Sequence, residues 1–301
     1  MLRYTSDVKT IIYILVVSAL MVGLFVYHDQ LNDGLYAIIY VAELIMAISV
    51  GVMVHNVRHV PMWKSKFLNT LTDCWLTILY GYPVFGWIPT HLQNHHTHTN
   101  KEEDYTKTYA FSEKNNLWTL IYYPMYSGGV QQKAIGQYLK KLWKTDREKF
   151  WQHALQIISI VAFLTTIFAL DWQAALLYVI LPHQISLNSV LVFNYVQHIQ
   201  ADEESEYNHS RNIEGFLNTF LFNNGLHTAH HLKPHLHWSR LPEFHNEIRH
   251  KIDPSLIEKN LIWYIIRQYL IAPFYKPWKR KDLRQARLEN QSSKSAAYAK
   301  V

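Results

Sequence analysis

The sequence predicts an all-α integral membrane protein with four transmembrane helices, a re-entrant or interfacial segment, and a cytoplasmic helical cap that holds a site for two metal ions. Three observations lead there. Apolar residues are bunched into four long runs, although mean hydropathy over the 301 residues is only -0.11. Histidines, 18 in all, cluster at helical spacing just beyond apolar segments. Lys and Arg are absent from the two short loops that would lie on the far side of a bilayer.

The first run, Ile11 to Tyr27, has 17 residues and no charge. As a helix it spans about 26 Å, close to the ~30 Å hydrocarbon core. No small-x-small cleavage pattern precedes His28 and Asp29, so a spanning helix is preferred to a cleaved signal. Leu35 to Val54 returns across, carrying Glu43, a carboxyl that must be buried or paired, either as a packing partner between helices or as part of a tunnel. Phe67 to Thr90 is apolar but holds Asp73, Gly81, Pro83, Gly86 and Pro89, which argue against a clean crossing. A re-entrant or interfacial hairpin there lets His91 emerge on the same side as His55. Lys101 to Lys149 is charged and aromatic and reads as cap. Two further spans follow, Gln152 to Leu170 and Ala174 to Asn194, the latter interrupted by Pro182, which implies a kink, and by His183, read as a polar residue inside the bundle. One membrane domain is therefore expected over residues 1–290, with spans near 11–27, 35–54, 152–170 and 174–194 and a cap formed by 55–150 and 195–275. Residues 291–301 read as a disordered polar tail.

Charge sets the orientation. Of 29 Lys and Arg residues, two precede the first span, 12 lie between the second and third, and 15 follow the fourth. The positive-inside tendency then places both termini and every histidine cluster in the cytoplasm. The net charge of +6 is read as contact with anionic lipid head groups, with KPWKRKDLRQAR as a surface anchor. No nucleic-acid module, internal repeat or Gly-rich phosphate loop is present. Cys74 is the single cysteine, which excludes a disulfide framework and a thiolate metal site within the chain.

Metal must be held by imidazole. His227, His230 and His231 stand at i, i+3 and i+4, a spacing that puts side chains on one helix face and predicts convergence on one point. A similar spacing, i, i+4 and i+5, recurs as His91, His95 and His96, and the pair His55 and His59 stands four apart. Leaving the fourth span, Asn194 and His198 share a face and supply a ninth imidazole. One tetrahedral zinc takes at most four protein ligands, so nine imply two metals. Zinc, copper, iron and nickel suit imidazole about equally, and ligand type alone does not choose among them.

HNVRH, HLQNHH and HTAHH, in this order, with the Asn194-x3-His198 element before the last, resemble the histidine boxes of the membrane-bound fatty acid desaturase and hydroxylase superfamily. The resemblance covers nearly the whole chain. It implies a non-haem di-iron centre held by His55, His59, His91, His95, His96, His198, His227, His230 and His231, with Asn194 reaching a metal through water. It also implies a fatty acyl substrate in a tunnel between cap and helices, dioxygen as oxidant, and insertion of a double bond. Acyl hydroxylation and alkene-forming decarboxylation are the alternative outcomes on the same scaffold. A reading of another class, a membrane metal-binding or transport protein, would need histidines along a path through the bilayer, and only His183 lies at depth. Asn56 stands where the family's first box often carries an aspartate. No HPGG haem-binding segment occurs, so electrons are expected from a separate ferredoxin, cytochrome b5 or reductase. Asn94, Asp104, Asp202 and Asn224 are candidates to support the ligands, while His98, His235, His237 and His245 are not counted among them. In NHSRN, His209 and Arg211 are candidates for a pocket mouth that binds a carboxylate or phosphate head group, unless Arg211 pairs with Asp202 or Glu206.

Overall fold

The computed structural model describes residues 1–298. It is helical nearly throughout, and the one sheet among the described residues is a parallel pair of two-residue strands, β1 (Asn212–Ile213) and β2 (Ile257–Glu258). Four helices are long and apolar enough to cross a membrane: Thr5–Gln30, Asp33–His59, Arg147–Leu170 and Trp172–His198. Each contains one expected span and extends beyond it. Residues group into two compact units, Met1–Gln93 with Val130–Leu191, and Asn94–Gly129 with Val192 onward. The sequence reading places all of 1–290 in one domain; the unit boundaries fall inside the helical segments Ile88–His95, Leu117–Thr145 and Leu181–His198.

In the first unit, α1 (Val8–Tyr27) packs on α2 (Asp33–His59), and α3 (Lys66–Tyr80) packs on both. The Asn32 side chain starts α2 by accepting from the Leu35 N–H at 3.0 Å. The helix outlasts its apolar run because nothing from His55 to His59 breaks it. It stops at Val60, whose extended backbone suits a residue before Pro61. His55 and His59 therefore ride on the helix rather than following it. Helix α3 ends at Gly81, whose φ of 79° returns an N–H to the Thr77 carbonyl at 3.0 Å. A Cβ on Gly81 would lie 2.4 Å from the His183 ring. His183 itself is buried, with Nε2 2.8 Å from the Ile78 carbonyl, so it is a packing and hydrogen-bonding residue of the bundle.

The chain returns through the second half of α4 (Leu117–Thr145), then α5 (Arg147–Leu170) and α6 (Trp172–His198). Asp146 and Asp171 start α5 and α6 by accepting backbone N–H groups at 3.0 Å. The irregularity expected at Pro182 is a π-helical turn at Leu176–Ile180, where the Leu181 N–H bonds to the Leu176 carbonyl. Helices α2 and α6 meet at Gly51, where an added Cβ would lie 2.4 Å from Val190 Cγ1 and 3.2 Å from the Ser186 carbonyl. Glu43 is buried on α2 with no hydrogen-bond partner at either carboxyl oxygen.

In the second unit, Ala201, Leu226, Ala229, Leu241, Ile248 and Leu256 form an apolar core. Helices α7 (Phe216–Phe220), α8 (His227–Leu232), α9 (Leu241–Ile248) and α10 (Leu261–Ile265) belong to it, with α10 prolonged as π-helix to Ile271. The basic segment expected to lie on lipid head groups is largely paired instead. Arg280 bonds Glu258, Lys281 meets Asp253, Arg284 bridges Glu203 and Glu113, and Arg287 bonds Asp202 and Glu203, all at 2.6–3.4 Å. Acidic partners distant in sequence compete with the membrane for these cations. Where disorder is expected from residue 291, helix α11 (Leu283–Tyr298) continues to Tyr298; residues 299–301 lie outside the described residues.

Candidate metal centre

In the first unit the end of α2 meets a π-helical stretch, Ile88–His95, that carries His91. His59 and His91 bring their Nε2 atoms to 3.1 Å, and the His55 ring centroid is 4.7 and 4.8 Å from those of His59 and His91. The non-crossing path expected for 67–90 is what lets His91 reach the His55 side. Asn56 Oδ1 lies 3.1 Å from His55 Nδ1 and offers an acceptor to that ring nitrogen. In the next turn Arg58 is paired with Asp73 of α3, which fastens the histidine-bearing end of α2.

The second unit holds a closed set of four. His95, His198, His227 and His231 each offer one ring nitrogen to a group whose ligand atoms lie within 4.8 Å of one another. Their Nε2 atoms approach at 3.2 Å for His95 and His231, 3.0 Å for His198 and His227, and 3.1 Å for His227 and His231. The donor set can be tested against a metal by geometry. Two nitrogens each ~2.1 Å from one ion are ~3.0 Å apart at a right angle and ~3.4 Å apart at the tetrahedral angle. The observed spacings fit one ion. His96 and His230 form a further pair in this unit, Nε2 to Nε2 at 3.1 Å.

In His95 and His198 the opposite ring nitrogen is held by neighbouring groups, which orients Nε2 toward His231 and His227. His95 Nδ1 lies 2.7 Å from Asp104 Oδ2 and 3.0 Å from Thr106 Oγ1. His198 Nδ1 lies 3.0 Å from the His209 carbonyl, so it donates there and leaves a lone pair on Nε2. Asp104 is itself held by the Asn100 and Thr106 N–H groups, both at 2.7 Å. Burial alone would raise the Asp104 pKa, but the His95 imidazole and these hydrogen bonds outweigh it and keep the carboxyl well below its usual range. His231 is driven the other way. Its burial, then the neighbouring His96, His227, His95 and His198, hold its pKa well below the ordinary value, so the ring is neutral and fit to bind metal.

The prediction that the histidines of each three-membered box converge on one point is corrected. His227 and His231, four apart, do share a face, but His230 turns to His96, and His95 and His96 have different partners. Adjacent helical residues point about 100° apart, so the two members of an HH pair cannot serve the same ion. Each box is divided.

Asn194, expected to reach metal through water, donates its amide to Tyr123 Oη at 2.6 Å and to the Thr106 carbonyl at 3.2 Å. It thus supports the Asp104–Thr106 turn behind His95. Of the four supporting candidates, Asp104 touches a histidine of the cluster, His95. Asn94 pins the same loop through Glu103 and Tyr105, Asp202 pairs with Arg287, and the Asn224 carbonyl accepts from Gln197. Arg211 and His209 do not form an open pocket mouth. Arg211 is 0 % exposed and donates to the Val196 and Ile199 carbonyls at the end of α6; His209 is buried, with Nδ1 against the Ser205 and Glu206 carbonyls. Neither Asp202 nor Glu206 is its partner, because Arg287 holds Asp202 and no side chain of Glu206 reaches Arg211 among the hydrogen bonds formed. His98 and His235 are away from the cluster, His237 bonds Ser239, and His245 bonds Glu214 at 3.0 Å. Thr106, Asn100 and the His209 carbonyl were not visible from sequence, since no spacing marks a residue that acts through a fold-dependent turn.

No curated protein and no solved structure matches the chain. A family model described as fatty acid desaturase matches residues 34–281, which include every histidine of both units' sets. On that match over most of its length, together with four apolar helices and clustered imidazoles, the chain belongs to the fatty acid desaturase family.

Proposed function

We propose that this protein is a dioxygen-dependent membrane oxidoreductase that removes two hydrogens from neighbouring carbons of a fatty acyl chain and leaves a double bond. The observation that carries the reading is the convergence of four imidazoles, three of them buried and His231 half-buried, with three Nε2–Nε2 approaches of 3.0–3.2 Å, in a family member. Nine histidines, His55, His59, His91, His95, His96, His198, His227, His230 and His231, are assigned to two iron ions, with His95, His198, His227 and His231 of the second unit holding one of them. Bound as a pair, the irons would supply, with dioxygen and external electrons, the oxidising power needed for an unactivated C–H bond.

The chain's own residues do the rest. Neutral imidazoles leave the centre highly cationic, and Asp104 behind His95 offsets part of that charge. Asp104 and the His209 carbonyl orient His95 and His198 by holding their Nδ1 atoms. An apolar pocket in the second unit, walled by Phe193, Val196, Ile213, Leu217, Leu221 and Leu261, supports acyl binding by excluding water. Gln197 and Asn224 on its wall stand one residue before His198 and three before His227, which ties the pocket to the ligand-bearing segments. The excess of Lys and Arg on one side supports cytoplasmic termini and a cytoplasmic site. A separate ferredoxin, cytochrome b5 or reductase is the proposed electron donor.

The test is mass spectrometry of total lipids and volatile products from cells expressing the chain with a reductase, against cells expressing a His95→Ala, His230→Ala double variant. Variant-sensitive acyl species lacking two hydrogens are expected. Hydroxylated chains or chain-shortened alkenes would replace the reaction, and no difference between the two cultures would overturn it.

A further inference from the structure

The segment His209–Asn212 touches two of the helices that carry metal-site histidines. On one side it closes α6, whose last residue is His198. A helix end leaves carbonyls without intrahelical partners, and here Arg211 supplies donors to two of them and to the carbonyl of Ile199 just beyond the helix. Its backbone N–H reaches the Gln197 carbonyl at 2.6 Å, and its Nη1 reaches the carbonyls of Val196 and of Ile199, the latter at 3.3 Å. The guanidinium sits 4.6 Å from the Tyr264 ring centroid. Its charge faces a helix C-terminus and an aromatic face, the two neutral partners that favour a cation. Two residues earlier, the His209 carbonyl holds His198 Nδ1 at 3.0 Å.

On the other side the same segment holds the first turn of α8, which carries His227 and His231. Asn212 Oδ1 accepts from the Thr228 N–H at 3.0 Å, its Nδ2 donates to Thr228 Oγ1 at 2.8 Å, and Ser210 Oγ lies 2.9 Å from that hydroxyl. Ser210, Arg211, Asn212 and Thr228 are all 0 % exposed. The paired groups of Ser210, Asn212 and Thr228 favour one low-energy arrangement, because a shift leaves a buried donor or acceptor unmet.

We infer that His209–Asn212 is the spacer that sets the distance from His198 to His227 and His231, with Arg211 and Thr228 as positioning residues for the four-histidine site. The inference rests on the metal reading of that site. Arg211 and Thr228 touch no ligand atom directly; they act by fixing the helix end and the helix start that present the imidazoles.

The experiment uses full-length protein in lipid nanodiscs, stripped of metal and titrated with Co(II), read by its visible absorption. Wild type is compared with Arg211→Met, Arg211→Lys and Thr228→Val, with thermal melting of each apo-protein alongside. Arg211→Met is expected to weaken at least one Co(II) equivalent by about tenfold or more and to alter the absorption band, as loss of a ligand-orienting contact does. Arg211→Lys restores part of both, since it keeps the charge and a donor. Thr228→Val shifts the band in the same direction from the α8 side. Wild-type affinity and spectrum in Arg211→Met would overturn the inference. If that variant does not fold, unchanged affinity and spectrum in both Arg211→Lys and Thr228→Val overturn it instead. Failure of wild type itself to bind Co(II) would reject the metal reading and the spacer role together, an outcome distinct from normal wild-type binding with unaffected variants.

Discussion

His95 and Asp104 form a buried pair, Nδ1 to Oδ2 at 2.7 Å, in which a carboxylate holds the far side of a ring whose Nε2 faces His231. The carboxylate aligns the imidazole and adds negative charge beside a cationic site. Replacing Asp104 by Asn keeps the shape but removes the charge. Asp104→Asn should lower metal affinity by about 10- to 100-fold. Co(II) titration against wild type checks this, and equal affinity would reject the role.

The same pair bears on pH. Because the folded pKa of Asp104 is depressed, its stabilising contribution is complete above the unfolded value of ~3.9 and is lost as pH falls through the folded one. Between about pH 5 and 8 this carboxyl should contribute no pH dependence to stability. Melting curves of wild type and Asp104→Asn over that interval should therefore run parallel.

Glu214 offers a second titration away from the metal site. It accepts from Arg249 at 2.7 Å and lies 3.0 Å from His245 Nε2. Burial would raise its pKa, but bonds to Arg249 and His245 bring it below the usual value. Its stabilising effect is thus present above the unfolded value of ~4.3 and disappears as pH falls past the folded one. The difference in Tm between wild type and Glu214→Gln should be largest near neutral pH and shrink toward about pH 3. A difference that grows on acidification would contradict the assignment.

Gly51 predicts a packing defect. A methyl there meets Val190 Cγ1 at 2.4 Å and the Ser186 carbonyl at 3.2 Å. Gly51→Ala should destabilise the first unit by about 1–3 kcal/mol, the usual cost of overpacking. Adding Val190→Ala should recover part of the loss, since it removes the closest clash. Additive losses in the double variant would show that the two helices do not meet as described.

Glu43 is costly where it lies, buried on α2 with neither oxygen hydrogen-bonded. Removing a buried polar group of this kind by an apolar side chain of similar length is expected to raise thermal stability. Glu43→Met with a raised Tm and unchanged product yield would assign the residue to packing. A raised Tm with lost turnover would give it a part in the reaction.

Much of this architecture is legible in the sequence because membranes impose one-dimensional constraints. A bilayer demands long uncharged runs, so the four helices long and apolar enough to cross one appear as such, and Gly81 and Pro83 mark why Phe67–Thr90 does not join them. The nine histidines stand out by type and spacing, and His227 and His231 share a helix face as their separation of four requires. Where the sequence reading differs from the structure, contacts between distant residues are responsible. His95 and His96 are neighbours, yet one faces His231 and the other His230, a choice made by how separate segments pack. Arg211 reads as a head-group ligand or a loop ion pair until the end of α6 is laid beside it, and Arg280, Arg284 and Arg287 read as a lipid anchor until their carboxylates are in place. Local spacing determined which residues can point together along a helix. Tertiary packing decided which ones meet, because partners separated by 136 positions, as for His95 and His231, are brought within reach only by the folded chain.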